Sequence, residues 1–411
     1  LINDKAKPFT MPTLDQLGAL LELVQMQHIQ LHLTKIDISN MYWSIKMPRQ
    51  HQDKFRFRVQ GITYEIPSLP FGWTHSPSIA VAVLSLYLQN AFPKEVIIIQ
   101  YLDDVLICGQ DHQKVEEATN HIIYQLQEAG WLVSPKSVVQ AKEVIEWMGK
   151  EVDGSQHTIM QSTQYIAHTI ALWIILATRG YQAKIMKRII GKLIWATRPG
   201  RAAMPFIHGP MAWLHYGPEQ SKYTPKKVLR SLAEAIAISC QKWKPIPTTP
   251  HQDTIFVDAA EGQYGYVAAI WSPTFGTRIW HLPSWIITQQ GAELAAIEAG
   301  IKIAAYKKLT SIHLVADNMA AIYTTIKFGS ALKNHLRARH VRRIAHLLRW
   351  SKLKVNISWI CSEYNPADCP SRYWKYTSEE VMQAHTIATY NAMQQCQRGQ
   401  PHHIGWAYHR A

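Results

Sequence analysis

Two aspartates stand side by side at positions 103 and 104, inside QYLDDVLICG (100–109). Ile97 to Tyr101 before them and Val105 to Cys108 after them read as buried strands. Two unit charges about 4 Å apart repel by about 4 kcal/mol at an effective dielectric of 20. A divalent cation reverses that sign. Mg2+ takes carboxylate oxygens together with substrate phosphate and dehydrates reluctantly, so such a pair suits phosphoryl transfer. Asp37, closing the strand-like LHLTKID, is the third candidate. A strand ending in Asp and a hairpin turn carrying Asp103 and Asp104 can meet on one sheet and hold two metals for in-line displacement. Alone, YxDD is also what a surface turn looks like.

A second set of acids follows. Asp258 ends the strand-like TIFVDAA, Glu293 lies near a helix start in GAELAAIEAG, Asp317 ends HLVADN, and Asp368 sits in EYNPADCPSR. A glutamate near a helix start is ordinarily a surface residue that complements the helix dipole. Glu293 therefore gains meaning only beside the other acids; Glu261 and Glu298 read as surface. Cys361, Cys369, His385, Cys396, His402 and His403 are zinc-ligand types, but their spacing fits no familiar site. With five scattered cysteines and no CxxC, reduced thiols and an intracellular setting (cytoplasm, nucleus or virus-like particle) are expected.

The elements that must position these acids can be read in outline. Residues 32–47 give a strand, a turn, then a strand or helix start. KFRFRV and ITYEI form a hairpin around Gln60-Gly61. Ser76 to Asn90 is a helix with Pro77 in its first turn, and Gln113 to Gly130 is an amphipathic helix closed by glycine. Residues 156–250 are mostly helical, with basic stretches at 184–201 and 222–230; Trp173, Trp195 and Trp213 read as core. KWKPIPTTPHQD (242–253) reads as a linker. Strands and helices then alternate, as in an α/β domain. Leu336 to Ser351 forms a helix with an apolar stripe through Val341, Ile344 and Leu348 and arginines largely elsewhere.

The chain has 411 residues, 47% hydrophobic, and a formal net charge of +14. That balance favours a polyanionic partner, nucleic acid first. No apolar run reaches spanning length; IALWIILA (170–177) is a core helix, and no membrane partner is expected.

Taken together, the motifs of 8–152 resemble reverse transcriptases. KIDISNMYWSI is similar to motif A, LPFGWTHSP (69–77) to motif B, YLDD to motif C, GWLVSPKS (130–137) to motif D and EWMGKEV (146–152) to motif E. The resemblance implies Asp37, Asp103 and Asp104 as metal ligands and Tyr42 as the gate against a 2′-hydroxyl. It implies backbone N–H groups near Asn40 and Met41 facing the triphosphate, Phe71 and Gly72 under the incoming base and template, and Lys136 near the pyrophosphate. Trp147, Met148 and Gly149 would form the primer grip. The later acids resemble the ribonuclease H carboxylates of retroelements, NPADCPSR and ADN being most like the hepadnavirus version, with gypsy-type and DIRS-type elements close. Asp258, Glu293, Asp317 and Asp368 would then bind metal. The histidine that some members carry before the last aspartate is missing; Glu363 and Tyr364 occupy its neighbourhood. Arg372 would serve product release or substrate contact.

The resemblance implies a right-hand palm, fingers and thumb of mixed α+β character, followed by a ribonuclease H-like α/β domain. We expect partial fingers and palm at 1–155, a basic helical thumb and connection at 156–250, the ribonuclease H-like domain at 251–375 and a loosely ordered polar tail at 376–411. The chain opens at Leu1, and Lys5 and Lys7 poorly replace the Lys and Arg that grip the triphosphate in the family. A polyprotein piece with shortened fingers is therefore expected. The implied partners are an RNA template, a DNA primer, RNA–DNA hybrid and dNTPs; the implied cofactor is Mg2+, two per site, with Mn2+ as the alternative. Lys184, Lys187 and Arg188, with Arg337, Arg339, Arg342 and Arg343, would contact phosphates. Two rivals stay open: a decayed relic that binds nucleic acid without catalysis, and an RNA-dependent RNA polymerase sharing the palm.

Overall fold

The computed structural model describes residues 14–89, 95–199, 201–217, 223–245, 253–329, 335–375, 378–397 and 406–407. Lys5 and Lys7, most of the expected linker, and His402 and His403 lie outside the described residues. The chain divides into two compact units, Leu1–Ser162 and Thr163–Ala411.

In the first unit, α1 (Leu14–Met26) precedes β1 (His32–Ser39) and the short turns α2 (Met41–Ser44) and α3 (Arg49–Gln52). The hairpin β2 (Arg56–Val59) and β3 (Ile62–Glu65) follows, then α4 (Ser76–Gln89), β4 (Val96–Tyr101), β5 (Asp104–Gly109) and α5 (His112–Glu128). Strands β6 (Leu132–Val133), β7 (Val138–Lys142), β8 (Val144–Trp147), β9 (Lys150–Asp153) and β10 (Thr158–Gln161) complete the unit. The main sheet runs β4-β5-β1-β6, with β7 also pairing β1. Its core gathers Ile36 and Ile38 of β1, Val105 and Ile107 of β5, Leu84 of α4, and Ile122 and Leu126 of α5. Asp111 caps α5 by accepting from the backbone N–H groups of Gln113 and Lys114, as an N-cap carboxylate does. A buried hydroxyl pair, Thr34 with Thr119 at 2.6 Å, ties β1 to α5.

One flank of the aspartate turn departs from expectation. Strand β5 is buried throughout its apolar run, but β4 is an edge strand and Ile97 is exposed. An apolar run alone does not distinguish a central strand from an edge strand with one covered face. The first domain boundary also shifts. β10 pairs antiparallel with β9, so residues 158–161 belong to the first unit and the break falls after Ser162, not after 155.

The second unit opens with four helices, α6 (Thr163–Thr178), α7 (Ala183–Ala196), α8 (Met204–Tyr216) and α9 (Lys226–Ser239). Then come β11 (Asp253–Gly262), β12 (Gly265–Ser272), β13 (Gly276–His281), α10 (Gln289–Tyr306), β14 (Ser311–Ala316), α11 (Met319–Lys327), α12 (His335–Ser351), β15 (Lys354–Trp359), α13 (Asp368–Ser371), α14 (Glu379–Gln397) and β16 (Trp406–Ala407). The sheet order is β13-β12-β11-β14-β15-β16; β11, β14 and β15 are parallel to one another, while β12 and β13 run antiparallel. The small-residue face of α10 lets the helix lie flat: a Cβ on Gly300 would stand 3.0 Å from a Val257 methyl and 3.2 Å from one of Leu314.

Helices α6 to α9 and this sheet share one apolar core, from Leu176, Ile189 and Phe206 through Ile255 and Val257 to Ile344 and Leu348. The helical stretch and the sheet therefore pack as one unit despite the proline-rich segment between them. The expected loose tail is corrected more sharply. Residues 379–397 form α14, and Met382, Thr386 and Met393 are buried. Tyr390 packs against Trp271 and Phe256, with ring centroids at 4.8 and 5.8 Å. The polar majority of the segment hides an apolar stripe at helical spacing.

Candidate active sites

In the first unit, register places the acids. Asp37 on β1 pairs directly with Asp104 on β5, and Tyr101 pairs with Asp104 across the hairpin. Leu102 and Asp103 form the connecting turn, with Leu102 held at φ 52°, a left-handed conformation uncommon outside glycine. The backbone N–H of Ile38 donates to the Asp103 carbonyl at 3.0 Å, locking the turn onto β1. Burial, with the charges of Asp103 and Asp37 added, pushes the Asp104 carboxyl up to about 6, while Lys35 and Lys136 pull it back. Burial also raises Asp103, its backbone hydrogen bond opposes the rise, and the Asp37 charge adds to it. The half-buried cluster is thus short of positive charge.

Around it stand the expected nucleotide-side residues. The Tyr42 ring meets Phe71 edge-on at 5.2 Å, and burial followed by the Asp103 charge raises its phenol. Phe71 is 65% exposed, so its ring is free to meet a ligand. Gly72 takes φ 86°. Asn40, at φ 54°, turns the chain from β1 into α2. The Met41 side chain is core, which leaves only its backbone for a ligand. Lys136 is exposed and within electrostatic reach of Asp104.

The primer-grip expectation needs correction at Trp147. Its side chain is 1% exposed and belongs to the interior. β8 alternates, so Ile145 and Trp147 point inward. The solvent-facing part is the turn Met148–Gly149, with φ 53° and 71°.

In the second unit, strand register again brings acids together. Phe256 of β11 pairs with Val315 of the parallel β14, which puts Asp258 and Asp317 at the same level two residues on. Glu293 lies one turn into α10. The ligand oxygens of Asp258, Glu293 and Asp317 all fall within 4.8 Å of one another. Among the described residues this is the one group of three or more His, Cys, Asp or Glu side chains gathered so tightly; Asp37, Asp103 and Asp104 stand further apart, and the described cysteines form no such group. Glu293 Oε2 and Asp317 Oδ1 are buried without a hydrogen-bond partner.

Burial raises Asp258 well above the carboxylate range; the charges of Asp317 and Asp368 add to it, and the Ser371 hydroxyl and Arg372 oppose it. Glu293 is raised by burial and by the charges of Asp258 and Asp317, against the amides of Gln289 and Asn318. Asp368 stands beside them on α13, paired with Arg372. Ser371 donates to Asp258 and Ser362 to Asp317. Orphaned carboxylate oxygens and mutually repelling buried acids fit a cation held through oxygen ligands.

Residues 4–152 match the family described as Reverse transcriptase (RNA-dependent DNA polymerase). This part of the chain is a reverse transcriptase domain. The chain is 25% identical over 187 residues to the Gag-Pol polyprotein of Rous sarcoma virus subgroup C (strain Prague), covering 43% of this chain and 11% of that protein. It is 29% identical over 133 residues to the Gag-Pro-Pol polyprotein of Mason-Pfizer monkey virus, covering 30% and 7%. The chain thus spans a small fraction of these curated relatives. A solved structure of the foamy viral protease-reverse transcriptase in complex with RNA/DNA hybrid aligns with TM-score 0.50 and 17% identity, over 87% of this chain and 47% of that one. That likeness concerns the fold alone, and it agrees with a polymerase fold of mixed α+β character.

In the reverse transcriptase domain, three positioning residues escaped sequence reading. The Gln100 amide donates to the carbonyls of Val81 and Leu102 at 3.3 and 3.4 Å and accepts from Ser85, fastening the aspartate turn to α4. Ser134 N–H donates to the Asp37 carbonyl at 2.7 Å, and Asp37 N–H donates to Ser137 Oγ at 3.0 Å. The segment carrying Lys136 therefore also clamps Asp37. Near the second cluster, the Gln289 amide donates to Glu293 at 2.8 Å.

The basic residues fall into two classes. Lys184, Lys187 and Arg188 are exposed along α7, opposite its buried Met186, Ile189 and Ile190. The arginines of α12 are more committed: Arg339 lies over the Trp285 ring at 4.8 Å, and Arg343 reaches Glu298 at 3.6 Å. Arg337 is partly buried and engaged within the protein. Glu298, expected on the surface, is 16% exposed and also meets His340 at 2.6 Å, because α12 packs across that face of α10. Among the described residues, no helix is long and apolar enough to cross a membrane.

Proposed function

We propose that this chain is a retroelement DNA polymerase that copies RNA and then DNA by adding dNTPs to a primer 3′-end. We propose further that its second site cleaves the RNA strand of the resulting hybrid. The observation that carries the first reading is the direct pairing of Asp37 with Asp104, with Asp103 in the turn and Tyr42 alongside. The family match over the same residues supports it. NPADCPSR and ADN favour a hepadnavirus-like, gypsy-type or DIRS-type origin within the retroelements.

Asp37, Asp103 and Asp104 would hold Mg2+ at the first site, and Asp258, Glu293, Asp317 and Asp368 at the second. Bound there, the ions supply Lewis-acid charge for phosphoryl transfer. The protein's own part is positioning. The rigid turn fixes Asp103 and Asp104 relative to Asp37, and the exposed Phe71 face meets the base. Tyr42, held edge-on by Phe71, fills the space of a 2′-hydroxyl. Lys136 offers a proton or a positive charge beside the leaving phosphates. At the second site, buried walls limit water around Asp258 and Glu293. The exposed face of α7 follows duplex phosphates without reading sequence.

Primer extension on an RNA template, paired with cleavage of labelled hybrid, tests both readings. Incorporation should disappear in Asp103→Asn and persist in Asp258→Asn, with hybrid cleavage showing the reverse. A protein that binds hybrid but performs neither reaction would instead be the non-catalytic relic.

A further inference from the structure

Lined by none of the clustered acids, a groove of about 550 Å³ lies between helices α8, α9 and α12. Sites for small ligands commonly occupy about 300–1,000 Å³. Its walls carry Lys227 from α9 and Arg339, Arg342 and Arg343 from α12, with His208 and His346, and among the described residues no carboxylate lines it. Neighbouring cations on one helix repel one another, so this concentration is costly without an anion.

Arg342 is the sharpest sign. Its Nε is buried and has no hydrogen-bond partner. A buried unsatisfied donor costs about 1–3 kcal/mol, more when charged. Room for the guanidinium is made by Gly209 of α8, where a Cβ would lie 3.1 Å from Arg342 Nη2. Glycine inside a helix gives up about 0.5–1 kcal/mol relative to alanine. Arg339 and Arg343 are anchored by Trp285 and Glu298. Arg342 has no such anchor among the described residues.

Flat rings complete the groove. Trp213 and the half-exposed Tyr216 line it, and Trp213 is braced edge-on by Tyr181 at 4.5 Å. Aromatic faces stack on any base, and a guanidinium pairs bidentately with phosphate oxygens. We propose that this groove binds a free nucleoside phosphate through Arg342 and Lys227, with its base against Trp213 or Tyr216. A terminal phosphate brings more charge and more free oxygens than a phosphodiester. A duplex backbone would touch the rim without reaching the buried Nε. The inference does not depend on the polymerase reading.

The test is equilibrium dialysis of the whole chain with labelled ATP in EDTA, beside sodium pyrophosphate and a short RNA–DNA hybrid. ATP should bind more tightly than pyrophosphate. Arg342→Met and Lys227→Ala should each weaken ATP by about tenfold or more, the scale of a lost charge-assisted bond, while Lys307→Ala, at an exposed lysine outside the groove, leaves it unchanged. Lys227 sits on a different helix from Arg342, so the test survives a folding defect in one variant, which thermal melts would report. The proposal is overturned if ATP does not bind, if Lys307→Ala weakens it as much as the two groove variants, or if pyrophosphate binds as well as ATP. It is equally overturned if both variants weaken hybrid as much as ATP, which would make the groove a nucleic-acid face.

Discussion

The Asn365 side-chain amide donates to the backbone carbonyl of Val257 at 3.0 Å, and Asn365 is 1% exposed. Its Oδ1 in turn accepts from the N–H of Ala367 at 3.1 Å. One buried side chain thus fastens the loop bearing Asp368 to the strand bearing Asp258. Asn365→Ala leaves a buried carbonyl and a buried N–H unsatisfied, at about 1–3 kcal/mol each when no water replaces the amide. We expect a lower melting temperature for the second unit and a larger loss of hybrid cleavage than of dNTP incorporation. Unchanged melting and cleavage would refute the fastening role.

The Tyr42 ring rests on Phe71, so the two should act together in choosing the sugar. Tyr42→Val should raise ribonucleotide incorporation relative to deoxynucleotide by about tenfold or more, since rejection by shape is worth about 1–3 kcal/mol. Phe71→Ala, which removes the brace, should move discrimination in the same direction by less. Single-nucleotide extension with matched dNTP and rNTP measures both. A Tyr42→Val enzyme that still rejects ribonucleotides would remove Tyr42 from this role.

Asp104 sets a pH signature in the metal-free protein. Its carboxyl titrates near 6 when folded, against 3.8 as the reference value. Between those values the folded state holds more protons than the unfolded chain, so stability falls as pH rises through this window. Below it the penalty is absent; above it the penalty is constant. Melts in EDTA should show this decline, Asp104→Asn should flatten it, and millimolar Mg2+ should recover stability above the window. A melt indifferent to Mg2+ at neutral pH would count against a cation at this cluster.

The candidate acids are legible in the sequence because their placement is local: YLDD needs only a tight turn, and Asp37 only the end of a strand. The groups that hold them are not. Ser137 becomes a clamp only by meeting Asp37, 100 positions away, and Asn365 only by meeting Val257, 108 away. A polar side chain in a loop carries no mark of such a partner. The aspartate hairpin was read correctly as a turn, but its edge position depended on which strand lay beyond β4. In α14, Met382, Thr386, Tyr390 and Met393 followed a helical stripe, diluted by glutamines that favoured reading a solvated tail. Trp147 failed for the opposite reason: the motif named the segment, but strand alternation decided which of its side chains faced inward.

Glu298 gives the last prediction. It takes His340 on one oxygen and Arg343 on the other, joining α10 to α12, with the carboxylate and the imidazole largely buried and the guanidinium half-exposed. His340 also lies flat on Trp285, which carries Arg339 on its ring. Removing the carboxylate leaves a buried imidazole and a guanidinium without their acceptor, the costly way to break such a contact. Glu298→Ala should therefore destabilise the second unit by about 3–5 kcal/mol if the pair is charged and by less if His340 is neutral. Glu298→Gln keeps an acceptor oxygen and should lose less than Glu298→Ala. Urea unfolding of the three proteins decides the matter. Equal stability of Glu298→Ala and the parent would return this glutamate to the surface role that its sequence suggests.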